Sequence, residues 1–269
     1  MKQTKLKQIR LACSGSGFLA PIHGGGLCAF LDSGIQIKET AGTSGGSIAA
    51  ALLALGKSSK EIKEICFLPV PKGIMDYRIG ATCRKAQNDG SLLQKWLNDS
   101  IGDFTFQDTK IPVTIMATDL TLGKSFVFSK EETPTVKLAD ACRASASVPF
   151  VWSPVKLPNG NLGVDGGLCN NIPVNQLTND SIPRVGIEVV DGLPAGPTST
   201  YIEYVKQIIK TALSSNEGNL EAWAVASGAS ILSVNALPYG ALDSELSESA
   251  KADLFNRGYK AVTDFLATK

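Results

Sequence analysis

The sequence predicts an α/β domain with a mainly parallel central sheet and helices on both faces. Two strand-turn-helix units stand in succession near the start, from Ile9 to Asp32 and from Gln36 to Leu55. At 269 residues, with 43% hydrophobic and 19% charged content, the chain is long enough for one sizeable core of ordinary globular composition. A consecutive pair of such units favours a parallel sheet covered on both sides.

Element by element, Ile9 to Cys13 reads as a strand running into the glycine-rich loop Ser14 to Gly17. A helix is expected from about Phe18 to Asp32, stopped by Gly34. Gln36 to Thr40 is a short alternating strand, and Ser44 to Leu55 a helix of small and apolar residues ended by Gly56. The next helix starts after the Ser58-Ser59 cap, with Glu61 in its first turn. Phe67 to Gly73 is a loop, because prolines at 69 and 71 forbid a helix interior.

Gly90 to Ser100 is an amphipathic helix; Ile111 to Thr118 and Ser125 to Phe128 are strands around a Leu122-Gly123 turn. Lys137 to Ser145 is helical and Val148-Pro149 ends it. Pro183 to Val190 is a buried strand, and Gly192 to Thr198 a Pro/Gly linker. From Tyr201 the pattern is mostly helical, with a strand near Ile231 to Asn235 and a last helix over Ser247 to Thr268. With no repeat and no firm boundary, residues 1–269 read as one domain. Its motif-bearing core is about 9–190, and a C-terminal packing region runs over about 200–269.

Several function classes are disfavoured. A net charge of +1 without a basic stripe argues against a nucleic-acid binder. Cysteines 13, 28, 66, 83, 142 and 169 are scattered with no C-x-x-C, and one histidine is too few to build a metal site. Reduced, buried thiols, no metal and no cofactor are expected, with a cytoplasmic location. The basic start has no apolar stretch behind it. Cys13 to Leu31 lacks full charges, but its Gly, Pro, Ser and His content is wrong for a membrane span.

Chemistry concentrates at Gly42-Thr43-Ser44-Gly45-Gly46, a G-x-S-x-G signature of a nucleophile elbow. Gly42, Gly45 and Gly46 supply the small neighbours that a serine on a tight strand-to-helix turn needs. The alternative is a glycine-rich turn with Ser44 as a helix N-cap. An ordinary triad of this order requires a histidine after the acid, yet the single histidine, His23, precedes Ser44.

Another group must then take the serine proton. Asp165, in Val164-Asp165-Gly166-Gly167 after a strand, is a carboxylate among residues with almost no bulk, although Asp-Gly alone also makes an ordinary turn. The Gly15-Ser16-Gly17-Phe18 loop has two readings. Its backbone N–H groups suit an oxyanion hole. Gly15-x-Gly17-x-x-Ala20 also fits a dinucleotide fingerprint with Asp32 or Glu39 on the ribose. The place for that ribose acid, after the second strand, is occupied by the Ser44 turn.

Three blocks together resemble the patatin-like phospholipases. They are Leu11 to Phe18 with Leu31 to Gly34; Ala41 to Ser47; and Ala117 to Leu120 through Leu138 to Ser145, Val148-Pro149 and Val164 to Gly167, up to Pro173. The resemblance implies a three-layer α/β/α fold and a Ser–Asp dyad that cleaves acyl lipids, with Ser44 as nucleophile and Asp165 as base. It further implies an oxyanion hole at Gly15, Ser16, Gly17 and Phe18, with Gly166 and Gly167 supporting the dyad. His23 then lies inside the first helix as a packing or hydrogen-bonding residue, and Gly24 to Gly26 serve close helix packing there.

Two departures from the family pattern stand out. Ser16 replaces a loop glycine, and Leu19 stands where an Arg is usual, which weakens the case for phospholipid over neutral esters. The expected partners are a lipid substrate and a membrane surface met transiently. Phe67 to Pro71, Ile74-Met75 and Phe150 to Trp152 are candidates for an acyl pocket or lid. Acyl transfer on the same dyad, or a lipid- or nucleotide-binding module using the Gly15–Phe18 loop, are the alternatives.

Overall fold

In the chain's computed structural model, residues 6–75, 86–191, 198–200, 203–204, 207–208, 211–212 and 217–269 are described. The expected linker at 192–198 lies almost wholly outside them, as do Cys83 and much of the stretch from 201 to 216.

Four parallel strands and one helix pair carry most of the frame. The strands are β1 (Gln8–Cys13), β2 (Gln36–Thr43), β4 (Val113–Asp119) and β9 (Arg184–Val190). The small strand β3 (Ala86–Asn88) pairs with β6 (Phe150–Trp152) away from the main sheet. The main sheet is completed by β5 (Lys124–Phe128), β7 (Val155–Lys156), β8 (Leu162–Asp165) and β10 (Ser230–Asn235). Its order is β10-β9-β1-β2-β4-β8-β7, with β5 also on β4. β10 is parallel to β9, whereas β5 and β8 run antiparallel to β4. The C-terminal region therefore adds a strand to the sheet as well as helices to its face.

The helices are α1 (Pro21–Asp32), α2 (Gly45–Ala54), α3 (Ser59–Cys66), α4 (Ser91–Ile101), α5 (Leu138–Ser145), α6 (Glu217–Ala226) and α7 (Glu248–Ala267). They make the outer layers of a three-layer α/β/α fold. On β1, Ile9, Leu11 and Cys13 pack with α1, α3 and α7 residues such as Phe30, Ile62 and Leu254. Ala12 points the other way, with Ala41, Ile172, Val174 and Ala224 of α6. This alternation is the period-2 side-chain rule of a strand buried on both faces.

Local chemistry sets the boundaries. The first helix is shorter than expected: Gly17–Leu19 is a single 3-10 turn, and α1 begins at Pro21, whose missing N–H costs nothing at that position. Gly34 and Gly56 end their helices at φ 73° and 71°. Ser58 and Glu61 form a reciprocal capping box at the start of α3. β2 runs three residues further than its alternating segment, to Thr43, because Thr40 to Thr43 are buried on both faces and carry no alternation to read.

The α1–α7 crossing explains Gly25 and Gly258. A Cβ on Gly25 would sit 1.9 Å from the Phe255 carbonyl oxygen, and one on Gly258 1.9 Å from that of Ile22. The two backbones touch, so neither position accepts a methyl group without separating the helices. Gly25→Ala is expected to lower the unfolding free energy by about 1–3 kcal/mol through overpacking. Urea unfolding of the purified variant checks it, with an unchanged midpoint refuting the tight crossing.

Candidate active site

The carboxyl ends of β2 and β8 meet across β4. Thr43 on β2 is in register with Met116, and Asp165 on β8 with Ala117, the next residue along β4. The side chains that follow from β2 and β8 thus converge above one strand.

Ser44 joins β2 to α2 with φ 49° and ψ −126°, a left-handed backbone rare for a residue with a side chain. Its neighbours must be glycines for reasons of space. A Cβ on Gly42 would lie 2.4 Å from the Gly46 carbonyl oxygen, and one on Gly46 2.3 Å from that of Ser14. A Cβ on Gly45 would lie 2.4 Å from Ser16 Oγ and 2.6 Å from the Gly17 oxygen. The turn is thus wedged against the end of β1 and the loop after it.

Ser44 Oγ donates to Asp165 Oδ2 at 2.7 Å. The other carboxylate oxygen, Oδ1, accepts the Gly167 N–H at 2.8 Å. Gly166 makes this turn possible, since a Cβ there would lie 2.3 Å from the Met116 oxygen. Asp165 is 1% exposed and Ser44 6%. Burial pushes the Asp165 carboxyl up from 3.8 to about 6, against the pull of its bonds from Ser44 and Gly167.

Sequence reasoning did not single out the groups that hold this pair. Ser145 Oγ, at the end of α5, accepts the Ser44 N–H at 2.7 Å. The Ser147 carbonyl accepts the Asp165 N–H at 2.9 Å, and Thr118 Oγ1 donates to the Asp165 carbonyl at 2.9 Å. The signal available was the pair of small polar residues, Ser145 and Ser147, at the end of α5 and just beyond it.

The Gly15–Phe18 loop is drawn against the elbow, where a Cβ on Gly15 would lie 3.5 Å from Ser44 Cβ. Its four N–H groups are not equivalent. Gly15 N–H donates to the Asn171 carbonyl at 3.0 Å and Phe18 N–H to the Ala241 carbonyl at 2.9 Å. Those two are spent, so the expected set of four donors narrows. The N–H groups of Ser16 and Gly17 have no acceptor among the described residues, and the buried Ser16 hydroxyl also lacks a partner.

His23 is fully buried in α1, with Nε2 2.8 Å from the Ser14 carbonyl, an acceptor to which it must donate. Burial pulls its pKa down to about 4, so it stays neutral. Of the ribose candidates, Glu39 is bound by Arg10 at 2.6 Å and accepts the Thr178 N–H, while Asp32 lies at the far end of α1. Neither faces the Gly15 loop, which counts against the dinucleotide reading.

Beside Ser44 lies an apolar cavity of about 1050 Å³ counted out to open solvent. Phe18, Ile48 and Leu52 are among its walls, joined by Leu68, Val70, Ile74 and Trp152 from the expected pocket segments. Phe150 does not line it and is half exposed, while Phe67 packs on Phe255. No group of three or more potential metal ligands occurs among the described residues. No helix there is long and apolar enough to cross a membrane.

The model of a family described as patatin-like phospholipase matches residues 11–178. An uncharacterized protein of Acanthamoeba polyphaga mimivirus is 33% identical over 200 residues, covering 69% of this chain and 67% of the viral protein. A probable lipid hydrolase of Invertebrate iridescent virus 6 is 26% identical over 153 residues, covering 57% and 48%. The match thus spans between about half and two thirds of these relatives' own lengths. The crystal structure of VipD from Legionella pneumophila superposes with a TM-score of 0.65 at 14% identity, covering 98% of this chain and 67% of that one; the likeness is one of fold.

Two outcomes follow from the electrostatics. Asp165 binds its proton more tightly folded than unfolded, so its stabilising contribution is present below pH 3.8 and is lost as the pH rises through about 6. Asp165→Asn is therefore expected to raise stability at pH 8, by at most about 3 kcal/mol at 1.36 kcal/mol per pH unit, as read by urea unfolding. Labelling of Ser44 by a fluorophosphonate is expected to rise with pH through about 6 and then level. His23→Ala should leave that profile in place, and a lost plateau in the folded variant would show that the histidine is the base.

Proposed function

The chain belongs to the patatin-like phospholipase family, and on that premise we propose that it is a serine lipid acyl hydrolase cleaving carboxylic esters of phospholipids or other acyl lipids. The observation that carries this reading is the 2.7 Å hydrogen bond from Ser44 Oγ to Asp165, buried beside an apolar cavity. The probable lipid hydrolase of the iridescent virus is a relative with the same chemistry in its name.

In this scheme the acyl chain lies in the cavity, and Ser44 Oγ attacks the ester carbonyl while Asp165 takes the Oγ proton. The carbonyl oxygen gains charge as the tetrahedral centre forms. The open N–H groups of Ser16 and Gly17 receive it, helped by the positive end of α2. Collapse breaks the ester bond, and the proton on Asp165 passes to the departing alcohol. Water then attacks the acyl-enzyme, giving one proton to Asp165. Fatty acid leaves, and the proton returns to Ser44 Oγ.

A carboxylate can act as this base because its surroundings raise its proton affinity to about 6. Above that pH it is ionised and holds a single hydroxyl and a single backbone N–H. Leu19, where the family usually has Arg, is fully buried in the apolar core. The loop therefore offers no guanidinium to a phosphate, and the substrate class extends to uncharged acyl esters.

Fatty-acid release from a panel of phospholipids, lysophospholipids and glycerides tests the proposal. Ser44→Ala and Asp165→Asn are each expected to lower release by roughly 10⁴-fold or more. Undiminished release by folded Ser44→Ala protein would end the serine mechanism.

A further inference from the structure

The carboxyl end of β4 rises above the dyad. β4 is level with Thr43 at Met116 and with Asp165 at Ala117, and it continues to Asp119 before turning. At about 3.3 Å per residue, the turn Leu120–Gly123 stands on the order of 10 Å beyond the Thr43–Met116 level, on the catalytic side. The β7–β8 turn, from Leu157 to Asn161, projects alongside it, because β8 descends antiparallel from there to Asp165.

The paired tips form an apolar and basic surface. Leu120 is 52% exposed and Leu122 56%, two leucines in three residues with no covering element among the described residues. Lys124 and Lys156 are exposed beside them. The one acid in these two segments is Asp119, which is buried. It accepts the side-chain amides of Asn159 at 2.9 Å and Asn161 at 2.7 Å, and the Leu122 N–H at 3.0 Å. Leu120 N–H also donates to the Leu162 carbonyl at 2.8 Å. Both turns are therefore laced to one carboxylate, and the leucines are held outward on a braced tip.

A single exposed leucine needs no explanation, but a braced pair whose exposed charged neighbours in these two turns are both cations does. We propose that the Leu120–Leu122 tip, with Lys124 and Lys156, docks this protein on an anionic lipid surface. Both leucines would enter the interface, both ammonium groups would face lipid phosphates, and Ser44 would stand above the bilayer that supplies its substrate. The inference rests on the lipid hydrolase reading. The two turns carry no exposed carboxylate to repel lipid phosphates, and a lipid interface takes two outward leucines without the matching groove that a protein partner would need.

Co-sedimentation with vesicles tests it in the Ser44→Ala protein, where binding is read without hydrolysis. The protein is expected to bind equimolar phosphatidylcholine–phosphatidylglycerol vesicles more tightly than phosphatidylcholine alone. Lys124→Gln and Lys156→Gln should each weaken binding to the anionic vesicles about fivefold, and salt should mimic them. Leu120→Asp with Leu122→Asp should lower it at least about tenfold. A Leu120→Ser, Leu122→Ser pair gives the same direction without added charge. In the Ser44-containing protein, the leucine variants should keep hydrolysis of a water-soluble short-chain ester while losing that of vesicle lipid. Absence of vesicle binding, or binding unaltered by both leucine pairs, overturns the tip as the docking surface. Binding lost with the tip while no ester is ever hydrolysed upholds the surface and removes the hydrolase reading alone.

Discussion

The left-handed backbone of Ser44 is the constraint on which the site depends. Conformations of this kind cost on the order of 1–3 kcal/mol and survive only where surrounding contacts over-determine them. Here those contacts are specific. The Ser44 N–H is taken by Ser145 Oγ, its carbonyl accepts both the N–H and the hydroxyl of Ser47, and Gly42 and Gly46 let β1 and α2 close around it. Any other backbone at position 44 would swing Oγ off the line to Asp165. Gly42, Gly45 and Gly46, and Ser145 at the end of α5, all serve that one torsion.

In the proposed mechanism, which uses no histidine, the demand falls on the carboxylate. A surface aspartate near pH 4 is a poor acceptor for a serine proton, and a fully desolvated, unbonded one would not ionise at all. Asp165 lies between these limits. It is buried enough to reach about 6, yet the Gly167 N–H and the Ser44 hydroxyl keep its charged form accessible. The single imidazole takes no part in this balance. His23 spends Nε2 on the Ser14 carbonyl and helps fix the end of β1, the strand whose loop reaches Ser44.

Much of the frame was legible in the sequence because its signals are local. Gly34, Gly56 and the Ser58–Glu61 box punctuate helices by backbone chemistry within a few residues. The three glycine-framed segments around Ser16, Ser44 and Asp165 stand out because bulk is excluded where backbones touch. What escaped is what depends on distant partners. Thr40 to Thr43 show no alternation because both faces of β2 are covered. Nothing near Gly15 or Phe18 reveals that Asn171 and Ala241 use up their N–H groups, since those carbonyls arrive from segments more than 150 and 220 residues away. The family resemblance supplied the loop, and only the folded geometry separates its spent donors from its open ones.

The end of α5 shows how a scaffold sets the distance between Ser44 and Asp165. Ser145 holds the Ser44 N–H and, two residues on, the Ser147 carbonyl holds the Asp165 N–H. Their spacing along one short segment thus bears on the separation of Ser44 and Asp165. Arg143 braces that end from behind. It is buried, its guanidinium acidified to about 10 chiefly by desolvation, and it bonds Ser147 Oγ and the carbonyls of Asp89, Gly90 and Ser153. Gly90 opens α4, whose Leu93 and Trp96 line the cavity, and Ser153 follows the cavity wall residue Trp152. One buried cation therefore ties these cavity walls to the segment that holds Ser44 and Asp165.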